Sequence, residues 1–347
     1  MRVQFSLGSP SAVDHSVHAI KQLGSDGHTV DVSVRQDRAT SSRLDATGIE
    51  HTVLTTATAS RLGTAVEAVV GTVRLSRYAQ TFAPRVIVGE STPATILGSA
   101  VSGAQLVRWA EPTTQSVAFS TEADSTRYVP AAPALRGAVA RFHPNWFSTN
   151  PAIRRSHGVD ETDGYAVAQF TAKASPYNAP QGGLSRRTKQ RIIRSLSTQR
   201  AVYVSNTDDP HPALDACRIT VPPIDTPHLV DGASLFVTDS AELAVSGALC
   251  GTPTVYAHTD GTDASVPQSV AELATQKLVR VAIGDREAQS TVKGLLAESS
   301  REAVWERRTA RFFTATGDPT TTILNRIYES ADRSQSASTS TQTVDSA

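Results

Sequence analysis

Val3, Phe5 and Leu7 alternate with polar residues, as one face of a strand does, and Gly8-Ser9-Pro10 interrupts them. Val13, Val17, Ile20 and Leu23 then fall on one helical stripe, which Gly24 and Gly27 bring to an end. Val30, Val32 and Val34 restore the alternation, and a polar helix from about Asp37 leads through Gly48 to a third strand near Ile49 to Leu54. A helix from about Arg61 to Phe82 stops at Pro84. The short apolar run Val86-Ile87-Val88 follows, then the turn Gly89-Glu90-Ser91-Thr92-Pro93, a helix to about Val101 and a strand near Leu106-Val107. Strands and helices taking turns in this way imply a parallel sheet with right-handed crossovers.

The stretch from Glu111 to Arg141 is Pro-rich and reads as connecting structure without a helical stripe. Alternation restarts after Asn150. Strands are expected at Tyr165 to Phe170, Ala201 to Ser205, Arg218 to Val221, Ser234 to Val237, Thr254 to Tyr256 and Leu278 to Ile283. Helices are expected at Ser185 to Ser197, Thr226 to Gly232, Ala241 to Cys250, Ser265 to Ala274, Asp285 to Ala297 and Arg301 to Phe313. A last amphipathic helix carries Ile323, Leu324, Ile327 and Tyr328. From about Arg333 the Ser/Thr/Gln composition has too little apolar surface to order itself. The fold class is therefore α/β, with two doubly wound Rossmann-like domains. In such folds ligands bind beyond the carboxyl ends of the strands, which selects Gly8 to Asp14, Gly89 to Thr92, Lys173 to Gly183, Asn206 to Asp209 and Thr238 to Glu242.

The 347 residues suffice for two domains, and 33 basic residues balance 33 acidic ones, leaving no global field to hold a nucleic acid. Two cysteines, Cys217 and Cys250, exclude a disulfide scaffold and give no zinc-ligand spacing. No apolar run reaches the length of a membrane span and no export signal opens the chain, so the expectation is a soluble, cytoplasmic protein.

Among the candidate loops, Leu235 to Val237 runs into Thr238-Asp239-Ser240 at the start of a helix, where free N–H groups and the positive dipole end favour an anion. Either Asp239 or Ser240 caps that helix, or the turn holds a phosphate. Gly8-Ser9-Pro10-Ser11 has the same placement after the first strand. It is no GxGxxG fingerprint, no acidic residue closes the second strand, and no phosphate loop occurs anywhere, which disfavours a nicotinamide cofactor. His15 and His18 lie three apart beside Asp14, a pair that serves either solvent exposure and capping or metal ligation. His228 lies within Thr226-Pro227-His228-Leu229, just ahead of the Thr238 turn. Arg186, Arg187, Lys189, Arg191 and Arg194 form a basic helix face that is either solvated or turned to a phosphate.

Phe142-His143-Pro144-Asn145-Trp146-Phe147, Gln181-Gly182-Gly183-Leu184-Ser185, and Pro227-His228-Leu229 running on to Asp239-Ser240 and Leu249 to Pro253 together resemble an archaeal and bacterial family, domain of unknown function 354. That family looks like a branch of the GT-B superfamily, near the nucleotide-sugar glycosyltransferases and the non-hydrolysing sugar-nucleotide epimerases. The resemblance implies two Rossmann-like domains facing across a cleft. It places an acceptor domain at 1–148, a nucleotide-sugar domain at 149–315, a helix at 316–332 crossing back to the first domain, and a disordered tail at 333–347. Where relatives carry Asp and His-Pro after the first strand, this chain has Ser6, Ser9-Pro10, Ala12 and Asp14. In the second domain Gln169, Ala174, Tyr177 and Asn178 replace Arg, acidic and histidine residues, and Ser246 stands where a ribose-binding Glu is common.

The resemblance thus implies a metal-independent glycosyltransferase that takes a nucleotide-sugar donor and a glycan or lipid-linked acceptor, with no cofactor beyond the donor itself. A sugar-nucleotide epimerase, or a catalytically silent ligand- or partner-binding relative, is the alternative. For a general base, Asp14, His15, Glu90, Glu111, His228 and Glu242 are available, with Glu90 first and His15 second. Nucleotide binding is expected at Gly8, Ser9, Gly182, Gly183, His228, Thr238, Asp239, Ser240 and Glu242.

Overall fold

Alternating apolar residues give the first strand, β1 (Arg2–Leu7), its buried face of Val3, Phe5 and Leu7. In this computed structural model the described residues are 1–56, 61–108, 130–160, 164–170, 184–198, 201–205, 217–258 and 266–342. They fall into two compact units, Met1–Thr126 with Asp318–Ala347, and Arg127–Gly317.

In the first unit β1 leads to α1 (Pro10–Ser25), capped by Ser9, whose side chain accepts from the Ala12 N–H, with Pro10 at the first helical position. Then follow β2 (Thr29–Gln36), α2 (Arg38–Thr47), β3 (Thr52–Thr56), α3 (Arg61–Phe82), β4 (Val86–Gly89), α4 (Pro93–Ser102) and β5 (Gln105–Arg108). The strands form one parallel sheet in the order β3-β2-β1-β4-β5, so the order reverses between β1 and β4. The two faces of this sheet differ. Val3, Phe5 and Leu7 with Val32 and Val34 are all buried on one face. On the other, Asp31 bonds Tyr78 and Arg35 bonds Glu67, both on α3, and the register places Gln4 beside Asp31 and Ser6 beside Ser33.

The last helix, α13 when the second unit's helices are numbered through, spans Pro319–Gln342 and packs on α1, β4 and β5 of the first unit. Ile323, Leu324 and Ile327 are buried, the Tyr328 hydroxyl donates to Asp26, and Arg85 donates to the Ala331 carbonyl. The crossing-back helix is thus present. It also extends beyond the expected end at 332, to Gln342, into the stretch expected to be disordered, because once a helix is nucleated each further residue adds a hydrogen bond for one fixed pair of dihedrals.

The second unit contains α5 (Pro133–Phe142), α6 (Pro151–Ser156), β6 (Tyr165–Gln169), α7 (Arg186–Ser197), β7 (Ala201–Ser205), β8 (Arg218–Ile219), α8 (Thr226–Val230) and β9 (Leu235–Thr238). It continues with α9 (Ala241–Leu249), β10 (Thr254–His258), α10 (Gln268–Thr275), β11 (Val279–Ile283), α11 (Gly284–Ala297) and α12 (Arg301–Thr316). The parallel strands run in the order β11-β10-β9-β6-β7-β8, reversing between β6 and β9.

One expectation is corrected here. The stretch read as connecting structure up to Arg141 contains α5, whose Leu135, Ala138, Val139 and Phe142 are buried together with Ala248, Leu249 and Phe313 of the second unit. Pro133 occupies the first helical turn, where its missing N–H costs nothing. The cap comes from another element: Glu272 on α10 accepts from the Ala131 and Ala132 N–H groups at 3.0 and 2.7 Å. Among the described residues no helix is long and apolar enough to cross a membrane.

Candidate active site

Parallel sheets of this kind open a crevice at the carboxyl ends of the strands where the strand order reverses. In the first unit that point lies between β1 and β4, followed by Gly8-Ser9 and by Glu90 respectively. A cavity of about 440 Å³ occurs there, lined by Gly8, Arg35, Glu67, Glu90, Thr92 and Thr95 among others. Glu90 is half-buried, and the Ser9 hydroxyl donates to its Oε1 at 3.3 Å. The turn beneath it is fixed by the Thr92 N–H and the Thr95 hydroxyl, both donating to the Glu90 carbonyl at 2.8 and 2.6 Å. A Cβ at Gly8 would stand 3.3 Å from Glu90 Oε2, so the missing side chain leaves room for the carboxylate. At Gly89 a Cβ would meet the Ser6 carbonyl oxygen at 2.9 Å, so only glycine lets β4 lie this close to β1.

Across the cavity Arg35 makes a two-pronged pair with Glu67, whose carboxylate raises the guanidinium above its ordinary value. Glu67 is consumed by that pair. Glu90 is the other carboxylate lining the cavity, and its Oε1 accepts from the Ser9 hydroxyl.

The structure does not bring His15 to this cavity: it sits half-buried on α1 and is not among the lining residues. Asp14, its neighbour, pairs with Arg43 of α2 at 3.2 Å. Glu111, Gly182, Gly183 and the loops from Lys173 and Asn206 lie outside the described residues. Among the described residues no three His, Cys, Asp or Glu side chains converge as a metal site.

In the second unit the reversal lies between β6 and β9, and β9 ends in Thr238-Asp239-Ser240. All three residues are turned inward. Ser240 caps α9, accepting from the Leu243 N–H at 3.5 Å, and its own N–H donates to the Thr238 hydroxyl at 3.1 Å. The Asp239 side chain is 2 % exposed and faces Lys189 Nζ of α7 at 3.9 Å, itself 6 % exposed and 5.3 Å from the centre of the Phe170 ring. The basic run on α7 is therefore not one face. Lys189 points to the core with Ile192, Ile193 and Leu196, while Arg186, Arg187, Arg191 and Arg194 stand outside. At the start of the same helix Ser185 donates to Asp285. Burial pushes the Asp285 carboxyl up, but the bonds from Ser185 and Thr188 and the Arg191 charge outweigh this and hold it below its ordinary value. Glu242 is exposed in the first turn of α9, where the helix dipole favours its charge.

His228 sits elsewhere. It belongs to α8, which leads into the amino end of β9, so the length of that strand separates it from Thr238. Its Nδ1 accepts from the Asn150 N–H at 3.1 Å, its ring stacks on Phe147 at 5.6 Å, and burial pushes its pKa down. His143 is buried, edge-on to Phe313 at 5.3 Å. Sequence reasoning missed Lys189 as Asp239's partner and Arg35 with Glu67 as the far wall of the Glu90 cavity. The inward direction of Lys189 was available from its helical spacing to Ile192, Ile193 and Leu196, but not its partner; the second had no local signal.

No protein-family model and no curated protein matches this sequence. Solved structures do resemble it. The glycosyltransferase of kitacinnamycin aligns with a TM-score of 0.59 at 14% identity, covering 95% of this chain and 99% of that one. The spinosyn forosaminyltransferase SpnP aligns at 0.61 and 14% identity, over 96% and 99% of the two chains. The UDP-GlcNAc 2-epimerase from Neisseria meningitidis, bound to UDP-GlcNAc, aligns at 0.57 and 10% identity, over 96% and 100%. Such identities speak for the fold, two parallel-sheet α/β domains like those of GT-B glycosyltransferases and epimerases, and not for a shared activity.

Proposed function

We propose that this protein is a metal-independent glycosyltransferase of GT-B type, within the branch that domain of unknown function 354 represents. The observation that carries the reading is the cavity at the switch point of the first sheet, with a carboxylate, Glu90, held at its wall by Ser9 and a fixed turn. The first unit would bind the acceptor there. Glu90 takes the proton of the acceptor hydroxyl as that oxygen forms its bond to the anomeric carbon, and the bond from that carbon to the diphosphate breaks with its electron pair leaving on the nucleoside diphosphate. The second unit would hold the donor at Thr238 to Ser240, with the amino-terminal end of α9 facing the leaving charge.

The test is turnover of nucleoside diphosphate sugars, read as release of the nucleoside diphosphate. Nucleotides that bind should first raise the melting temperature; a ligand at 100 times its Kd adds about 2.7 kcal/mol. Glu90→Gln should lower turnover about 10²–10⁴-fold while leaving that shift intact. Equal turnover by wild type and Glu90→Gln would remove Glu90 from the role. One observation favours a second reading, a silent binding protein: Asp239, Lys189, Thr238 and Ser240 already occupy one another. Binding without turnover would select it.

A further inference from the structure

Nine large apolar side chains stand exposed among the described residues, and seven of them lie on two helices that pack against each other: Val66, Val69, Val70 and Val73 on α3, with Ile96, Leu97 and Val101 on α4. The α3 valines occupy i, i+3, i+4 and i+7, the spacing of a continuous apolar stripe. This stripe points away from the sheet. Toward the sheet α3 presents Glu67 to Arg35 and Tyr78 to Asp31, over a strand face that includes Gln4 and Ser33. Among its described side chains, apolar inner contacts are made by Leu75 and Ala79 near Ile87. The layer thus sets one ion pair and one tyrosine–carboxylate bond on its sheet side and valines on its outer side, whereas the opposite face of the sheet buries Val3, Phe5, Leu7, Val32 and Val34.

We propose that the α3/α4 face is the interface of a homodimer, independently of the glycosyl-transfer reading. Three features point to a second copy. First, the patch is depleted of charge: α4 has no charged residue, and the one carboxylate of α3, Glu67, is buried against Arg35. Depletion of charge at the centre marks protein interfaces. Second, the stripe has the seam spacing with which a helix meets its own copy across a two-fold axis, where one patch serves both partners. Third, the size suits. The 22 residues of α3 and 10 of α4 present about 48 Å of helix roughly 10–12 Å wide, on the order of 500 Å² in projection and more with side-chain relief, approaching the about 800 Å² per partner of a standard interface. A lipid surface fits less well, because an interfacial helix carries a rim of several cations. Among the described side chains the exposed cations of these helices are Arg74 and Arg77, and Arg74 is folded back to donate to the Leu54 carbonyl at 2.7 Å.

Sedimentation equilibrium of the full chain at micromolar concentration tests this, with Val69→Glu on α3 and Ile96→Glu on α4 as variants. Val69 is 65% exposed and Ile96 46%, so both substitutions leave the fold intact, which the melting temperature checks. A wild-type dimer whose dissociation constant rises at least 100-fold in either variant is the expected result. A wild-type monomer over the whole range, or a dimer indifferent to both variants, would overturn it. So would a monomer that floats with phosphatidylglycerol vesicles and loses that property in Val69→Glu, a result that would give the face to a membrane.

Discussion

Asp31 illustrates how one side chain on the polar face of the first sheet sets a pH dependence. Its Oδ1 accepts from the Tyr78 hydroxyl at 2.6 Å, while Oδ2 is buried with no hydrogen-bond partner. Burial raises the carboxyl above its ordinary value, more than the Tyr78 bond lowers it. The folded state therefore binds this proton more readily than the unfolded chain, whose Asp titrates near about 3.9. The stability linked to Asp31 is fully present below that value and is lost as pH rises through the raised folded value. Asp31→Asn keeps an acceptor for Tyr78 and carries no charge. It is expected to melt at a higher temperature than wild type at pH 7, with the difference shrinking toward pH 3. Melting curves at both pH values check this, and an advantage for wild type at pH 7 would contradict the assignment.

At the scale of elements, the junction of α7 with β9 depends on the Lys189 and Asp239 pair. Removing one member of a buried pair typically costs about 3–5 kcal/mol, whereas replacing both with apolar residues of similar volume is often neutral. Lys189→Met should therefore destabilise the protein by about that amount, and Lys189→Met with Asp239→Leu should recover most of it. Denaturant titration of the two single variants and the double checks the coupling; additive losses would show that the pair does not act as a unit. The same junction shows what the sequence could and could not reveal. Lys189 falls three, four and seven residues ahead of Ile192, Ile193 and Leu196, so its inward direction was legible from periodicity, but Asp239 lies fifty positions away and nothing local names it as partner. Strands β1, β2 and β4 were legible because alternation and a short apolar run are local signals. The helix α5 was obscured by Pro133, which resembles a breaker, and by a cap lent from Glu272, a residue of a distant element. Glu90 was legible as a carboxylate after a strand; its cavity, walled by Arg35 and Glu67, was not.

At the scale of the whole chain, the first unit is assembled from both ends of the sequence, Met1–Thr126 and Asp318–Ala347, while the second is the continuous run Arg127–Gly317. The first unit's sheet is therefore complete in sequence long before the helix that covers it, and α13 supplies Ile323, Leu324, Ile327 and Ala331 to the core. At about 1.5–3 kcal/mol for each fully buried large aliphatic side chain, the three larger ones represent roughly 5–9 kcal/mol, comparable with the entire 5–15 kcal/mol margin of an ordinary domain. A chain ending at Gly317 should thus leave the first unit without a stable fold and spare the second. Hydrogen exchange separates the two outcomes strand by strand. In the truncated chain the amides of β1 and β4 are expected to lose their protection, while those of β6 and β9 retain it. Undiminished protection of β1 and β4 would mean that α13 is an ornament of the first unit and not a part of its core. Loss of protection in all four strands would mean that the second unit, although continuous in sequence, does not fold without the first.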